Sequence, residues 1–251
     1  MKIAVCIKRV ADMGARFQIG ADGTSVSDAG IKYDISDFDE WAVEAALQQN
    51  EKHGGGEVTV LSLGPDAAQE TIRKALAMGA DKGVHLKTEK IPFDGFAIAE
   101  ALAAELKDGG YDLILFGRLA VDSAAGVTGA MVAELLGLPC VTAVSKLDVN
   151  GASGTAERQV EGGVESLSFP LPAVCTIDQG LVVQARYPSL KGIMAAKKKP
   201  LESKPAQLGA ISVSVRKMEL PPERSAGRIV GEGAAAVPEL IRLLQTEAKV
   251  L

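Results

Sequence analysis

The residues best suited to chemistry lie in one loop, Gly117-Arg118-Leu119-Ala120-Val121-Asp122-Ser123-Ala124-Ala125-Gly126-Val127-Thr128-Gly129. It follows the apolar run Leu113-Ile114-Leu115-Phe116 and leads into a helical pattern. Small residues let backbone approach a ligand, and the free N–H groups of a helix start attract a phosphate. An ordinary tight strand-to-helix loop uses the same residues, so spacing alone leaves both readings open. The sequence has no GxGxxG and no GxxxxGK[ST], which removes support for a dinucleotide fingerprint or a P-loop. Lys8-Arg9 and Leu63-Gly64-Pro65 follow two further strand-like runs, and open parallel sheets bind ligands beyond such strand ends.

Other reactive residue types are sparse. His53 and His85 have no Cys or His beside them and do not read as metal ligands. Cys6, Cys140 and Cys175 form no CxxC and lie in apolar stretches, which predicts buried, reduced thiols in a cytoplasmic protein. Lys197-Lys198-Lys199 follows an apolar group, Leu190 with Ile193-Met194. A solvated lysine run is the plain reading. An apolar anchor ringed by charge is the alternative, because charge speeds encounter and the anchor fixes register.

The elements that position these residues alternate over the first 145 positions. Strands are predicted at Lys2–Val10, Glu57–Leu63, Gly83–Lys87 and Tyr111–Phe116, with a hairpin at Phe17–Ser27. Helices are predicted over about 38–52, from Asp66 to Gly79, along Ile98-Leu102-Leu106, and over about 127–137. Such alternation implies an α/β fold, an open and mostly parallel twisted sheet with helices on both faces. Strands then follow one another at Pro139–Val149, Thr155–Val160, Val164–Phe169 and Ala173–Ile177. After Arg186 periodicity is poor until a helix near Val237–Val250, which predicts an extended arm laid across a partner. The expected division is therefore an α/β nucleotide-binding domain over 1–185 and a recognition loop with C-terminal arm over 186–251.

Composition agrees with this architecture. The chain has 251 residues, 47% apolar and only 4% aromatic, so small aliphatic side chains must fill the core. A net charge of −5 disfavours a nucleic-acid binder. No apolar run reaches membrane-spanning length, so no membrane insertion is expected, and the first residues lack a secretory pattern.

The most specific stretch is Ala156-Glu157-Arg158-Gln159-Val160-Glu161-Gly162-Gly163-Val164-Glu165-Ser166-Leu167, followed by Pro172-Ala173-Val174-Cys175-Thr176. With Lys8-Arg9-Val10, Gly64-Pro65, Gln69–Arg73, Ala75–Asp81, Arg186–Lys199 and Pro221–Gly227, it resembles the beta subunits of electron-transfer flavoproteins nearly end to end. The resemblance implies an adenine-nucleotide alpha-hydrolase-like fold and an electron carrier without catalytic residues of its own. Its implied partner is a larger alpha subunit that holds most contacts to a redox FAD. A structural AMP would lie in this chain against Cys6, Ser36, Asp37, Phe38, Asp39, Leu63 and the loop holding Gly117, Asp122, Ser123, Ala124, Ala125, Gly126, Val127 and Thr128. Met13 falls beside the flavin ring. Tyr187, Leu190, Ile193, Met194, Lys197, Lys198 and Lys199 fall in a recognition loop that docks on acyl-CoA or related dehydrogenases, with Leu190 as anchor. Electrons would pass on to a quinone oxidoreductase.

Two departures from the family pattern stand out: Val127 where many members carry a glutamine, and Gln159 where many carry an acid. Gln159 removes the acid of a salt bridge proposed to the mobile flavin domain, and the altered loop at Val127 leaves open the electron-bifurcating form, in which a second FAD replaces AMP and oxidises NADH. A nucleotide-binding stress-type module shares the same alternation but has no need of a long C-terminal arm.

Overall fold

The computed structural model describes residues 1–223 and 226–251; Arg224 and Ser225 of the Pro221–Gly227 stretch lie outside the described residues. Chain contacts divide into two compact units, Met1–Lys217 and Met218–Leu251.

In the first unit the expected alternation is present. Strand β1 (Lys2–Cys6) precedes a short antiparallel pair, β2 (Arg9–Ala11) and β3 (Tyr33–Ile35). Then come α1 (Asp37–Lys52), β4 (Glu57–Gly64), α2 (Ala68–Met78), β5 (Lys82–Lys87), α3 (Gly95–Leu106), β6 (Leu113–Gly117) and α4 (Thr128–Leu136). Strands β7 (Cys140–Asn150), β8 (Ser153–Val160), β9 (Gly163–Pro170) and β10 (Ala173–Ile177) follow. The unit closes with α5 (Leu190–Ala196) and β11 (Leu201–Pro205).

Nine strands form one sheet in the order β11-β5-β4-β1-β6-β10-β7-β8-β9, parallel from β11 to β7 and antiparallel at β8 and β9. Strand side chains alternate between two apolar cores, as period-two geometry requires. Ile3, Val5, Val58, Val60, Leu113 and Leu115 pack beneath α1 and α2. Ala4, Cys6, Leu61, Leu63, Ile114 and Phe116 pack beneath α3 and α4. Runs such as Leu113–Phe116 are apolar at every position because helices cover both faces.

The structure corrects several expectations. The first strand ends at Cys6, because the Lys8 N–H turns to the Asp39 carboxylate and β2 then pairs with β3. The Phe17–Ser27 hairpin is reduced to one bridge, Ile19 to Val26. Cys6 and Cys175 are buried, but Cys140 is exposed, because it opens β7 where one face meets solvent. The α/β unit also runs beyond 185. Its edge strand β11 comes from 201–205, and the compact unit ends at Lys217. His85, wholly buried, joins that edge strand to the sheet: one ring nitrogen lies 3.0 Å from the Gly64 carbonyl and the other 2.9 Å from the Ser203 hydroxyl.

Among the described residues of the second unit there is one α-helix, α6 (Val237–Leu243), entered through a tight turn at Ala234–Ala236 and left through a wide turn at Leu244–Ala248. This helix matches the one expected near Val237–Val250.

Candidate nucleotide-binding site

The carboxyl ends of β1, β4 and β6 meet at a cavity of about 580 Å³, lined by Cys6, Leu63, Phe116 and Gly117 and by much of the loop that follows. Asp39, in the first turn of α1, builds its floor. Its carboxylate accepts the Lys8 N–H at 2.7 Å and the Gly117 N–H at 3.0 Å, tying the ends of two strands together. Gly117 is required for this approach, since a Cβ there would strike the Asp39 carboxylate and the backbone of Phe38–Asp39. Burial pushes the Asp39 carboxyl up to about 7, against the two N–H donors and the Lys8 charge, with Asp122 adding to the rise. Burial and then Asp39 hold the Cys6 thiol far above its ordinary range, so it stays protonated and is no nucleophile.

The loop itself is pinned. Ser36, wholly buried, accepts the Val121 N–H at 3.3 Å and donates to the Leu119 carbonyl at 3.5 Å. The Lys8 ammonium donates to Asp122 at 2.8 Å. Ala124 and Gly126 take left-handed backbone angles, φ 50° and 64°. Val127 then starts α4 without a side-chain cap, so the first N–H groups of the helix, at Thr128 and Gly129, have no helical carbonyl to bind. Both residues line the cavity.

Of the sequence-expected residues, Cys6, Asp39, Leu63, Gly117, Asp122, Ser123, Ala125, Gly126, Val127 and Thr128 line the cavity. Ser36, Asp37, Phe38, Ala124 and Met13 do not. Ser36 shapes the loop from behind, and Phe38 stacks edge-on against Trp41. Asp37 and Ala124 are exposed, as is Met13 at 61%.

Sequence reasoning missed one wall, made by Ile91, Phe93, Phe96, Ile98 and Met131 with Val213 from the tail. Its signal was Asp94-Gly95 just before the Ile98-Leu102-Leu106 stripe. Asp94 caps α3 by accepting the N–H groups of Phe96 at 3.0 Å and Ala97 at 3.4 Å. The same carboxylate accepts the N–H groups of Ser212 at 2.7 Å and Val213 at 3.2 Å. These donors, Ser212 foremost, hold the Asp94 carboxyl below its ordinary range.

The expected recognition loop is a capped helix. The Ser189 hydroxyl accepts the Gly192 N–H at 3.0 Å, opening α5. Tyr187 and Leu190 are each 83% exposed, Met194 71% and Ile193 44%. Lys197 and Lys198 also face solvent. Lys199 does not join them. Its ammonium donates to the carbonyls of Leu76, Gly79 and Ala80 at 3.0, 3.3 and 2.6 Å, neutralising the end of α2. Arg73 on α2 donates in return to the carbonyls of Ala196 and Lys199. Gln159 lines a separate polar cleft, with Gln48, Gln49 and Lys146. Among the described residues no helix is long and apolar enough to cross a membrane.

Residues 24–208 match the family model described as "Electron transfer flavoprotein domain". The chain is 39% identical over 263 residues to the electron transfer flavoprotein subunit beta of Bacillus subtilis, each chain covered in full. It is 39% identical over 251 residues to that of Bradyrhizobium diazoefficiens, again covering both completely. The human subunit is 39% identical over 234 residues, with 90% of this chain and 91% of the human one aligned. A domain match over most of the chain, with relatives of one name aligned end to end, leaves one assignment: the chain belongs to the electron transfer flavoprotein family, among its beta subunits.

Proposed function

We propose that the chain is the nucleotide-holding half of a heterodimeric electron carrier. It pairs with an alpha subunit that holds most of the contacts to FAD. It works in the cytoplasm, taking electrons from acyl-CoA or related dehydrogenases and delivering them to a quinone oxidoreductase. The observation that carries this reading is the cavity at the carboxyl ends of β1, β4 and β6. Its donor set suits AMP. Unpartnered N–H groups at the start of α4 suit a phosphate, and the apolar wall around Leu63 and Ile91 suits a base. Lys8 is already paired with Asp122, so most of the phosphate's support falls to backbone N–H groups. The departure at Val127 is consistent with this, since backbone donors at Thr128 and Gly129 need no side chain at 127.

The flavin, when bound, supplies the redox chemistry. This chain's residues hold a second nucleotide, shape the partner surface and present α5 to the electron donor. No residue here acts as a catalytic acid or base. Leu190, Tyr187 and Met194 form the apolar part of the docking face, and Lys197 and Lys198 add charge beside it. The test is mass spectrometry of nucleotides released from the co-expressed heterodimer, with flavin absorbance. AMP with a single flavin per heterodimer is expected. Two flavins and no AMP would replace this reading with the bifurcating one.

A further inference from the structure

The Asp94 carboxylate serves two pairs of donors at once. One oxygen takes the N–H groups of Phe96 and Ala97 at the start of α3. The other takes the N–H groups of Ser212 and Val213, more than a hundred residues away in sequence. Asp94 is only 5% exposed, whereas Phe93, Phe96 and Val213 line the cavity yet are 63%, 47% and 52% exposed. Those three therefore form its rim, with the carboxylate beneath them. The tail reaches this point along a fixed path. After β11 the Ala206 N–H donates to the Lys87 carbonyl at 2.8 Å, and Leu208 packs on the core under α3. Gly209 passes so close to Glu100 that a Cβ would collide with its carboxylate. From there to Lys217 the tail has no regular secondary structure, and the two bonds to Asp94 fix it at the rim.

We infer that Asp94 is a positioning residue that clasps residues 212–213 over the rim of the nucleotide cavity, so that bound nucleotide leaves only when the clasp opens. This rests on the reading of the cavity as a nucleotide site. Charge-assisted bonds from a buried carboxylate are among the stronger contacts available to a segment with no secondary structure.

Asparagine separates the two tasks. Asp94→Asn has one carbonyl oxygen and one amide that only donates, so it can cap α3 or hold the tail but not both. Asparagine is as good a helix cap as aspartate, so the tail is the side released. Ser212→Pro removes a donor from the other side and leaves the α3 cap untouched.

The experiment follows nucleotide release from the co-expressed heterodimer, amide exchange at Ser212 and Val213, and the thermal midpoint. Both variants should release nucleotide on the order of tenfold faster, from the loss of one or two charge-assisted bonds. In Asp94→Asn the Ser212 and Val213 amides should exchange faster. In Ser212→Pro only Val213 retains an amide to report this, and the midpoint of each variant should move little. Release within twofold of wild type in both variants would overturn the clasp. So would an effect confined to Asp94→Asn with a fallen midpoint, which is the signature of a lost helix cap. If the wild-type heterodimer yields no nucleotide, the cavity reading fails, and the exchange rates of the two amides decide the clasp alone.

Discussion

Arg186 opens the segment that carries α5, and its replacement by alanine tests how that segment is tethered. Glu44 on α1 is 4% exposed and takes the Arg186 backbone N–H at 3.1 Å, its Nε at 2.8 Å and a terminal nitrogen at 3.0 Å. The exposed Glu51 takes the rest of the guanidinium, at 2.6 and 3.2 Å. Breaking a buried pair typically costs about 3–5 kcal/mol, because it strands a charge. Here the Arg186 side chain is 35% exposed, and Glu44 would keep the Arg186 backbone N–H and the Gln48 amide at 2.9 Å. The discounted cost is about 2–3 kcal/mol. At roughly 2–4 °C per kcal/mol for a chain of this size, the midpoint should fall by about 5–10 °C.

The pH dependence of that loss has a definite sign. Burial raises the Glu44 carboxyl, but the bonds from Arg186 and Gln48 outweigh it, and the net shift is below the ordinary 4.5. A depressed folded-state value gives stability that is present above the unfolded value and lost as pH falls through the folded one. The gap between wild type and Arg186→Ala should therefore be widest near neutrality and shrink as pH falls below the ordinary carboxyl value of 4.5. Scanning calorimetry of the heterodimer from pH 7 to pH 3.5 measures it. A midpoint loss under about 1 °C, or a gap independent of pH, would refute the tether. Arg186→Lys should recover only part of the loss, since an ammonium has three donors to the guanidinium's five and lacks its planar, bidentate fork.

Leu190→Ala should weaken capture by the donor dehydrogenase by on the order of thirtyfold, from about three carbons of buried surface, while nucleotide, flavin and thermal midpoint stay unchanged. Normal electron transfer by the folded variant would remove Leu190 as the anchor. Gly126→Val should lose nucleotide, because φ of 64° is a strained conformation for a β-branched residue; full retention on mass spectrometry would place the phosphate elsewhere. Asp39, raised to about 7, contributes stability that is complete below about pH 4 and lost as pH rises through about 7, so the midpoint of Asp39→Asn should gain on wild type between pH 5 and pH 8.5. A constant difference across that range would show that Asp39 does not titrate there.

The sequence shows most clearly the parts of this fold whose causes are local. Leu113–Phe116 reads as a doubly buried strand because both neighbouring layers are helical, and Gly117 and Gly126 mark a loop that tolerates no Cβ or needs a positive φ. Long-range causes are not visible in this way. Strand β11 (Leu201–Pro205) is a polar edge with no buried residue and no alternation to mark it, and it exists because β5 offers it a partner. Helix α5 is too short for periodicity to reveal and is held by Arg73 and Lys199. The cavity wall at Val213 exists only because the tail returns to Asp94. Cys140 shows the opposite error: an apolar neighbourhood in sequence does not bury the first residue of a strand.

The proposed docking face is built on a helix braced against α2. Arg73 binds the carbonyls of Ala196, which ends α5, and of Lys199 beyond it. The Lys199 ammonium binds those of Leu76 in α2 and of Gly79 and Ala80 just past it, and Gly192 lets the two helices approach, since a Cβ there would meet the Ala77 carbonyl. Ala196 is buried at this contact, while Leu190 and Met194 point away from it. Leu190, the proposed anchor, is thus mounted on a braced helix. A carrier that must meet a dehydrogenase and leave quickly uses a small interface, and a preformed one loses less conformational entropy on binding. Lys199 then explains why the lysine run is not one patch. Lys197 and Lys198 are exposed, whereas Lys199 braces α5 against the end of α2.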